Sequence, residues 1–199
     1  MLLVNMTTMT RPHVSTYKEA LVDLLAEFAL EKGEFTLSSG AQAKYIVDAK
    51  RVVMRQDGFR VIGRLIAEQI AEHEATAVGG LTLGADPIAY AALAAGADVK
   101  AFVVRKEPKE HGLQQQVEGR LLDATDRCLV VDDVVTTGKS TITAINVLRE
   151  LGLTICGVVS LLDRLAGGAD AIQAELGEDA EYTALSTIDE VYPDRPDRG

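Results

Sequence analysis

An α/β fold with a central parallel sheet is predicted by two observations. From residue 77 to residue 162, apolar runs of strand length at 77–79, 101–104, 129–131 and 155–162 alternate with helical patterns at 87–95 and 141–151. Such alternation places helices on both faces of a parallel sheet. In addition, no sequence period recurs and no Pro, Gly or Ser tract divides the chain. The 199 residues, 47% hydrophobic and 25% charged, therefore read as one core. Residues 15–199 are taken as a single domain and residues 1–14, which fit no pattern, as a mobile extension.

The first helix is expected over residues 16–32. Leu21, Leu24, Leu25, Phe28 and Ala29 recur at helical spacing, Thr16 with Glu19 has the spacing of a capping box, and Gly33 suits the exit. A second helix is expected over residues 58–72, with Asp57 as N-cap and Phe59, Ile62, Leu65, Ile66 and Ile70 on the buried face. His73 then reads as a solvated helix-end residue. The charged tail from Asp189 to Gly199 reads as a frayed end.

Composition excludes several functions. No apolar run approaches the roughly 18 residues that span a bilayer, and residues 1–10 lack the basic flank and apolar stretch of a signal peptide, so a cytoplasmic protein is expected. Cys128 and Cys156 both lie in apolar runs outside any C-x-x-C pair, which argues against disulfide and zinc frameworks. A net charge of -10 disfavours nucleic acid and anionic membranes as partners. An anionic ligand must then meet a local cluster of positive groups.

Ligands of open α/β sheets sit at the carboxyl ends of the strands. The run Cys128-Leu-Val-Val-Asp-Asp-Val-Val-Thr-Thr-Gly-Lys-Ser-Thr141 carries a buried strand into two acids and then into a small, hydroxylated turn that opens a helix. Backbone N–H groups of Thr136, Thr137, Gly138, Lys139 and Ser140 can surround a phosphate at that helix N-terminus. Asp132 and Asp133 would repel the phosphate, but they suit sugar hydroxyls or a hydrated magnesium ion. The nucleotide P-loop pattern shares Gly138-Lys139-Ser140 but requires glycine where Asp133 stands. A second strand end, Val104-Arg-Lys-Glu-Pro-Lys-Glu-His-Gly112, concentrates Arg105, Lys106, Lys109 and His111. These groups suit a pyrophosphate, and the stretch through Gln116 reads as a mobile loop.

The core Val130-Val-Asp-Asp-Val-Val-Thr-Thr-Gly138 resembles the motif of type I phosphoribosyltransferases. Phe35-Thr-Leu-Ser-Ser-Gly40, Tyr45-Ile-Val-Asp48, Arg105 to Gly112 and Leu162-Asp-Arg164 narrow the resemblance to the orotate phosphoribosyltransferases, over nearly the whole chain after about residue 16. It implies a type I phosphoribosyltransferase-like fold with a small N-terminal hood, mainly in residues 15–50. It also implies a homodimer with shared active sites, Mg2+ held mainly by substrate oxygens and water, and the substrates 5-phosphoribosyl 1-diphosphate (PRPP) and orotate. Asp132, Asp133, Val134, Val135, Thr136, Thr137, Gly138, Lys139 and Ser140 would bind the ribose phosphate of the donor. Arg105, Lys106, Lys109 and His111 would serve its pyrophosphate, and Thr136 and Arg164 would hold orotate. Lys109, His111 and Asp133 would take the catalytic roles.

The chain departs from the family pattern at three places. Ser38 and Gly84 stand where many members carry lysine, and Ile46 and Val47 replace an aromatic pair beside Tyr45. The segment Gly79-Gly-Leu-Thr-Leu-Gly-Ala-Asp-Pro-Ile88 instead resembles a subgroup with a Leu-Thr-x-Gly-Ala-Asp loop. Two other readings compete with orotate transfer: a relative acting on another base, such as a purine, and a noncatalytic nucleotide- and RNA-binding regulator. Residues 35–48 with Arg164 oppose the first, and the net charge opposes the second.

Overall fold

The computed structural model describes residues 14–36, 40, 42–107, 116–119 and 121–198. The chain begins with helix α1 (Val14–Leu24), widens into a π-helical turn at Leu25–Ala29, and turns directly into strand β1 (Leu30–Thr36). β1 pairs antiparallel with β2 (Gln42–Val47) to form a two-stranded ribbon. The helix expected to reach residue 32 is therefore shorter. Its apolar stripe is real, since Leu21, Leu25 and Ala29 are buried, but pairing of Leu30 with Val47 claims the last residues for a strand. Gly33 consequently lies inside β1, and Thr16 lies within α1 rather than at its cap. Val14, assigned to the extension, begins α1; residues 1–13 lie outside the described residues.

Helix α2 (Lys50–Val53) leads into α3 (Gln56–Glu72). Arg55, with extended backbone, is the N-cap of α3. Asp57 sits in the first turn, where its carboxylate favours the positive helix end and pairs with Arg55 at 3.1 Å. Then follow β3 (Ala77–Leu81), α4 (Asp86–Ala94), β4 (Lys100–Val104), β5 (Val117–Gly119), β6 (Arg127–Val135), α5 (Lys139–Glu150), β7 (Thr154–Asp163), α6 (Gly168–Leu176), β8 (Tyr182–Ala184) and α7 (Ile188–Val191). The six-stranded sheet has the order β5-β4-β3-β6-β7-β8, parallel except where β5 pairs antiparallel with β4.

Side chains alternate across the sheet, so each central strand feeds two cores. From β6, Leu129 and Val131 join α1, α3 and α4 residues such as Leu21, Ile62 and Ile88, whereas Cys128 and Val130 join Ala144, Ile145 and Leu148 of α5 and Ile172 of α6. Close approach of α3 and α4 depends on Gly63, where a Cβ would stand 2.3 Å from the Ala91 carbonyl oxygen. Both cysteines are buried and free, and burial pushes the Cys128 thiol up to about 12. His73 is half-buried, its Nδ1 3.1 Å from the Cys156 carbonyl oxygen, so it is pinned rather than solvated.

The tail from Asp189 is exposed as expected at Pro193, Asp194, Pro196, Asp197 and Arg198, but it is tethered instead of frayed: Val191 is buried, and the Arg195 side chain, 11% exposed, bridges Asp189 at 2.6 Å and Asp197 at 3.0 Å. These charges satisfy one another locally, which a charge-rich sequence does not by itself reveal. Among the described residues, no helix is long and apolar enough to cross a membrane.

Candidate active site

β6 ends where the sheet opens, and its last residues build the site. Asp132 is 6% exposed. Its Oδ2 accepts the Thr141 hydroxyl at 2.6 Å and its Oδ1 accepts the Asp133 backbone N–H at 2.9 Å, so strand end and helix start hold one carboxylate between them. Burial, with the negative Asp133 beside it, pushes the Asp132 carboxyl up to about 6 against the opposing Thr141 hydrogen bond.

Asp133 is gripped from two sides. Its Oδ2 accepts from the Lys50 ammonium at 3.0 Å, while Lys50 also reaches Asp48 at 2.9 Å. Burial acts against the Lys50 charge, yet the hydrogen bonds to Asp48 and Asp133 carry its pKa above the usual lysine value. On the other side, a Cβ placed on Gly84 would meet Asp133 Oδ1 at 2.5 Å, so the loop between β3 and α4 lies flat against the carboxylate. A side chain at position 84 would require the Asp133 carboxylate to shift.

The turn after β6 leaves a helix N-terminus available. Gly138 adopts φ +75°, α5 carries no side-chain cap and its first turn holds no acid. Thr136, Thr137, Lys139 and Ser140 are exposed around it. The positive helix end thus faces a space ringed by hydroxyls and a lysine, an arrangement suited to a phosphate. Val135 points into the core below, its carbonyl accepting the Arg164 N–H at 2.8 Å; Val134 is half-buried. That backbone bond sets Arg164, at the end of β7, beside the turn.

The cationic strand end lies across the β3–α4 loop. Arg105 donates to Glu118 at 2.9 Å, and its backbone pairs with Gln116 at 2.8 Å. Arg105, Lys106, Thr82, Asp86 and Tyr90 line a cleft of about 810 Å³. Within it Asp86 Oδ2 accepts the Thr82 hydroxyl at 2.7 Å, while Asp86 Oδ1 is buried with no partner among the described residues. The same loop therefore touches Asp133 through Gly84 and walls the cleft through Thr82. Lys109, His111 and Ser38 lie outside the described residues.

Sequence reasoning passed over Lys50, Asp86 and the grip on Asp133. Asp86 belongs to the quoted Leu-Thr-x-Gly-Ala-Asp loop, and Lys50 follows the quoted Tyr45–Asp48 segment by two positions. Adjacency to those segments was the available signal. Among the described residues, no three His, Cys, Asp or Glu side chains converge as metal ligands. Two carboxylates at one strand end suit a cation that brings most of its own oxygen ligands.

Residues 49–174 match the phosphoribosyl transferase domain family. The chain is 47% identical over 156 residues to the orotate phosphoribosyltransferase of Corynebacterium glutamicum strain R, covering 78% of this chain and 84% of that one. Among solved structures, it is similar to Mycobacterium tuberculosis H37Rv orotate phosphoribosyltransferase in complex with Fe(III) dicitrate, with TM-score 0.79, 38% identity, and coverage of 88% of this chain and 99% of that one. The same enzyme in complex with 5-phospho-alpha-D-ribosyl 1-diphosphate matches with TM-score 0.75, 35% identity and coverage of 88% and 98%.

Proposed function

The chain belongs to the orotate phosphoribosyltransferase family within the phosphoribosyl transferases, and on that premise we propose that it transfers the phosphoribosyl group of PRPP to orotate. The products are orotidine 5'-phosphate and pyrophosphate, a step of de novo pyrimidine biosynthesis. The observation that carries the reading is the strand–turn–helix geometry at the end of β6. There Asp132 is locked by Thr141 and Asp133 by Lys50, next to an uncapped α5 N-terminus.

In this reading the 5-phosphate lies against the backbone N–H groups of residues 136–140, and the ribose hydroxyls donate to Asp132 and Asp133. Both carboxylates already have fixed directions, so little ordering remains to be done on binding. Arg105 and Lys106, joined by Lys109 and His111, receive the pyrophosphate, and Thr136 and Arg164 hold the base. As the C1–pyrophosphate bond lengthens, the sugar gains oxocarbenium character, and negative charge grows on the leaving group towards the cationic loop. Mg2+, when bound through donor oxygens and water, neutralises part of that charge. The ring nitrogen of orotate is acidic enough to attack without a strong base, which leaves Asp133 as a weak proton acceptor at most. Closure of residues 106–116 excludes water from the activated sugar. A homodimer sharing its active sites, working in the cytoplasm, completes the proposal.

The test is loss of orotate absorbance on adding PRPP with magnesium, beside parallel assays with adenine, hypoxanthine and uracil. Consumption of orotate alone is the expected result. Consumption of another base instead would keep the donor site and overturn the base assignment. Donor binding without turnover of any base would favour the regulator.

A further inference from the structure

The segment after α7 is linked to the base side of the site by a series of contacts. Asp197, held by Arg195, accepts the Tyr45 hydroxyl at 3.1 Å across 152 positions of sequence. The Tyr45 ring, 3% exposed, meets Tyr192 edge-on at 5.4 Å, and the Lys32 ammonium lies 4.1 Å over Tyr192. Tyr45 in turn carries the Arg164 guanidinium over its ring at 4.8 Å from the centroid. Arg164 Nε is buried with no hydrogen-bond partner among the described residues.

A buried, unpaired guanidinium donor costs free energy unless something pairs with it. Arginine grips a carboxylate with two parallel bonds only when the plane of its fork is fixed. An aromatic face fixes that plane without using any N–H, so the donors stay available. Ile46 and Val47 offer no such face.

We propose that the C-terminal segment 192–198 is a specificity strap: it orients the Tyr45 ring, and that ring sets the plane of Arg164 for the carboxylate of a flat heterocycle. The inference rests on the orotate reading above. Tyr45 and Asp197 are positioning residues, acting on the base only through Arg164. The aromatic surface of the base site thus lies behind the arginine instead of beside the ring.

Steady-state kinetics of the whole chain, with orotate and PRPP varied separately, tests this alongside donor binding by calorimetry and thermal melting. Tyr45→Leu should raise the KM for orotate roughly tenfold, with kcat and donor affinity within about twofold of the parent. The preference for orotate over uracil, the same ring without the carboxylate, should fall by the same factor. Tyr45→Phe keeps the ring and should recover most of the loss. A chain ending at Val191 should raise the orotate KM roughly fivefold. An unchanged orotate KM in Tyr45→Leu would overturn the strap, as would a parallel rise in both KM values with a lower Tm, which would mark Tyr45 as structural. If the parent chain itself fails to consume orotate, the functional reading falls and takes the strap with it.

Discussion

On the proposed reading, the donor half and the base half of the site are built in opposite ways. The centre of the donor half is contiguous: Asp132 and the Thr141 that fixes it are nine positions apart, and strand, turn and helix follow one another in the chain, with Lys50 and the Gly84 loop added from outside. The base half is assembled from distant pieces, with Tyr45 from the ribbon, Arg164 from the end of β7 and Asp197 from the tail. A contiguous site keeps its geometry through local hydrogen bonds. A dispersed site depends on packing between elements, and its affinity should be adjustable without loss of chemistry.

Variants in the donor half should break turnover with any base. Asp132→Asn is expected to have the largest effect, lowering kcat/KM for orotate by about 100- to 1000-fold, measured by orotate absorbance. The same change should stabilise the fold at neutral pH. Burial pushes the native carboxyl up to about 6 from an ordinary 3.8, so between those two values the folded chain holds a proton that the unfolded chain has released. Stability from this group is therefore fully present at low pH and declines as pH rises through that interval. Melting temperature against pH should show a flatter acid-to-neutral slope in Asp132→Asn than in the parent; parallel slopes would refute the burial argument.

Gly84→Ala places a methyl group where the Asp133 carboxylate stands. A displacement of that kind should cost roughly thirtyfold in kcat/KM, with Tm nearly unchanged. Lys50→Met removes the ammonium that holds Asp133 from the other side and should raise the donor KM roughly tenfold, with Lys50→Arg milder. If either variant altered only the orotate KM, the division into two halves would fail. The smallest effect belongs to the tail. Arg195→Met loosens an ion network in which only the arginine is well buried, worth about 1 kcal/mol at most, which corresponds to a fall in Tm of about 2–4 °C, readable by calorimetry.

The same contrast explains what the sequence disclosed. The central strands from 77 to 162 and the diacid turn were legible because apolar periodicity, acids and glycine lie within one window. The first three residues of β1, 30–32, were read as helix because their strand character comes from pairing with β2, not from their own side chains. The three-residue strands β5 and β8 offer too few positions for a period, and α6 and α7 were likewise not assigned. Lys50 was invisible as a site residue because its partner Asp133 is 83 positions away. The tail read as frayed because Asp189, Arg195 and Asp197 are charged, and mutual neutralisation within a fold leaves no trace in composition.

The two sealed thiols have a practical consequence. Cys128 lies in the core on the α5 side of the sheet, Cys156 is buried as well, and burial raises both pKa values, so neither offers a thiolate to solvent. Alkylating reagents should leave the folded chain unmarked. A cysteine introduced at Leu83, now 58% exposed on the loop that touches Asp133 and walls the cleft beside Arg105, would then be the sole reactive handle. A dye attached there would turn that loop into an optical reporter of donor arrival, with no background to subtract.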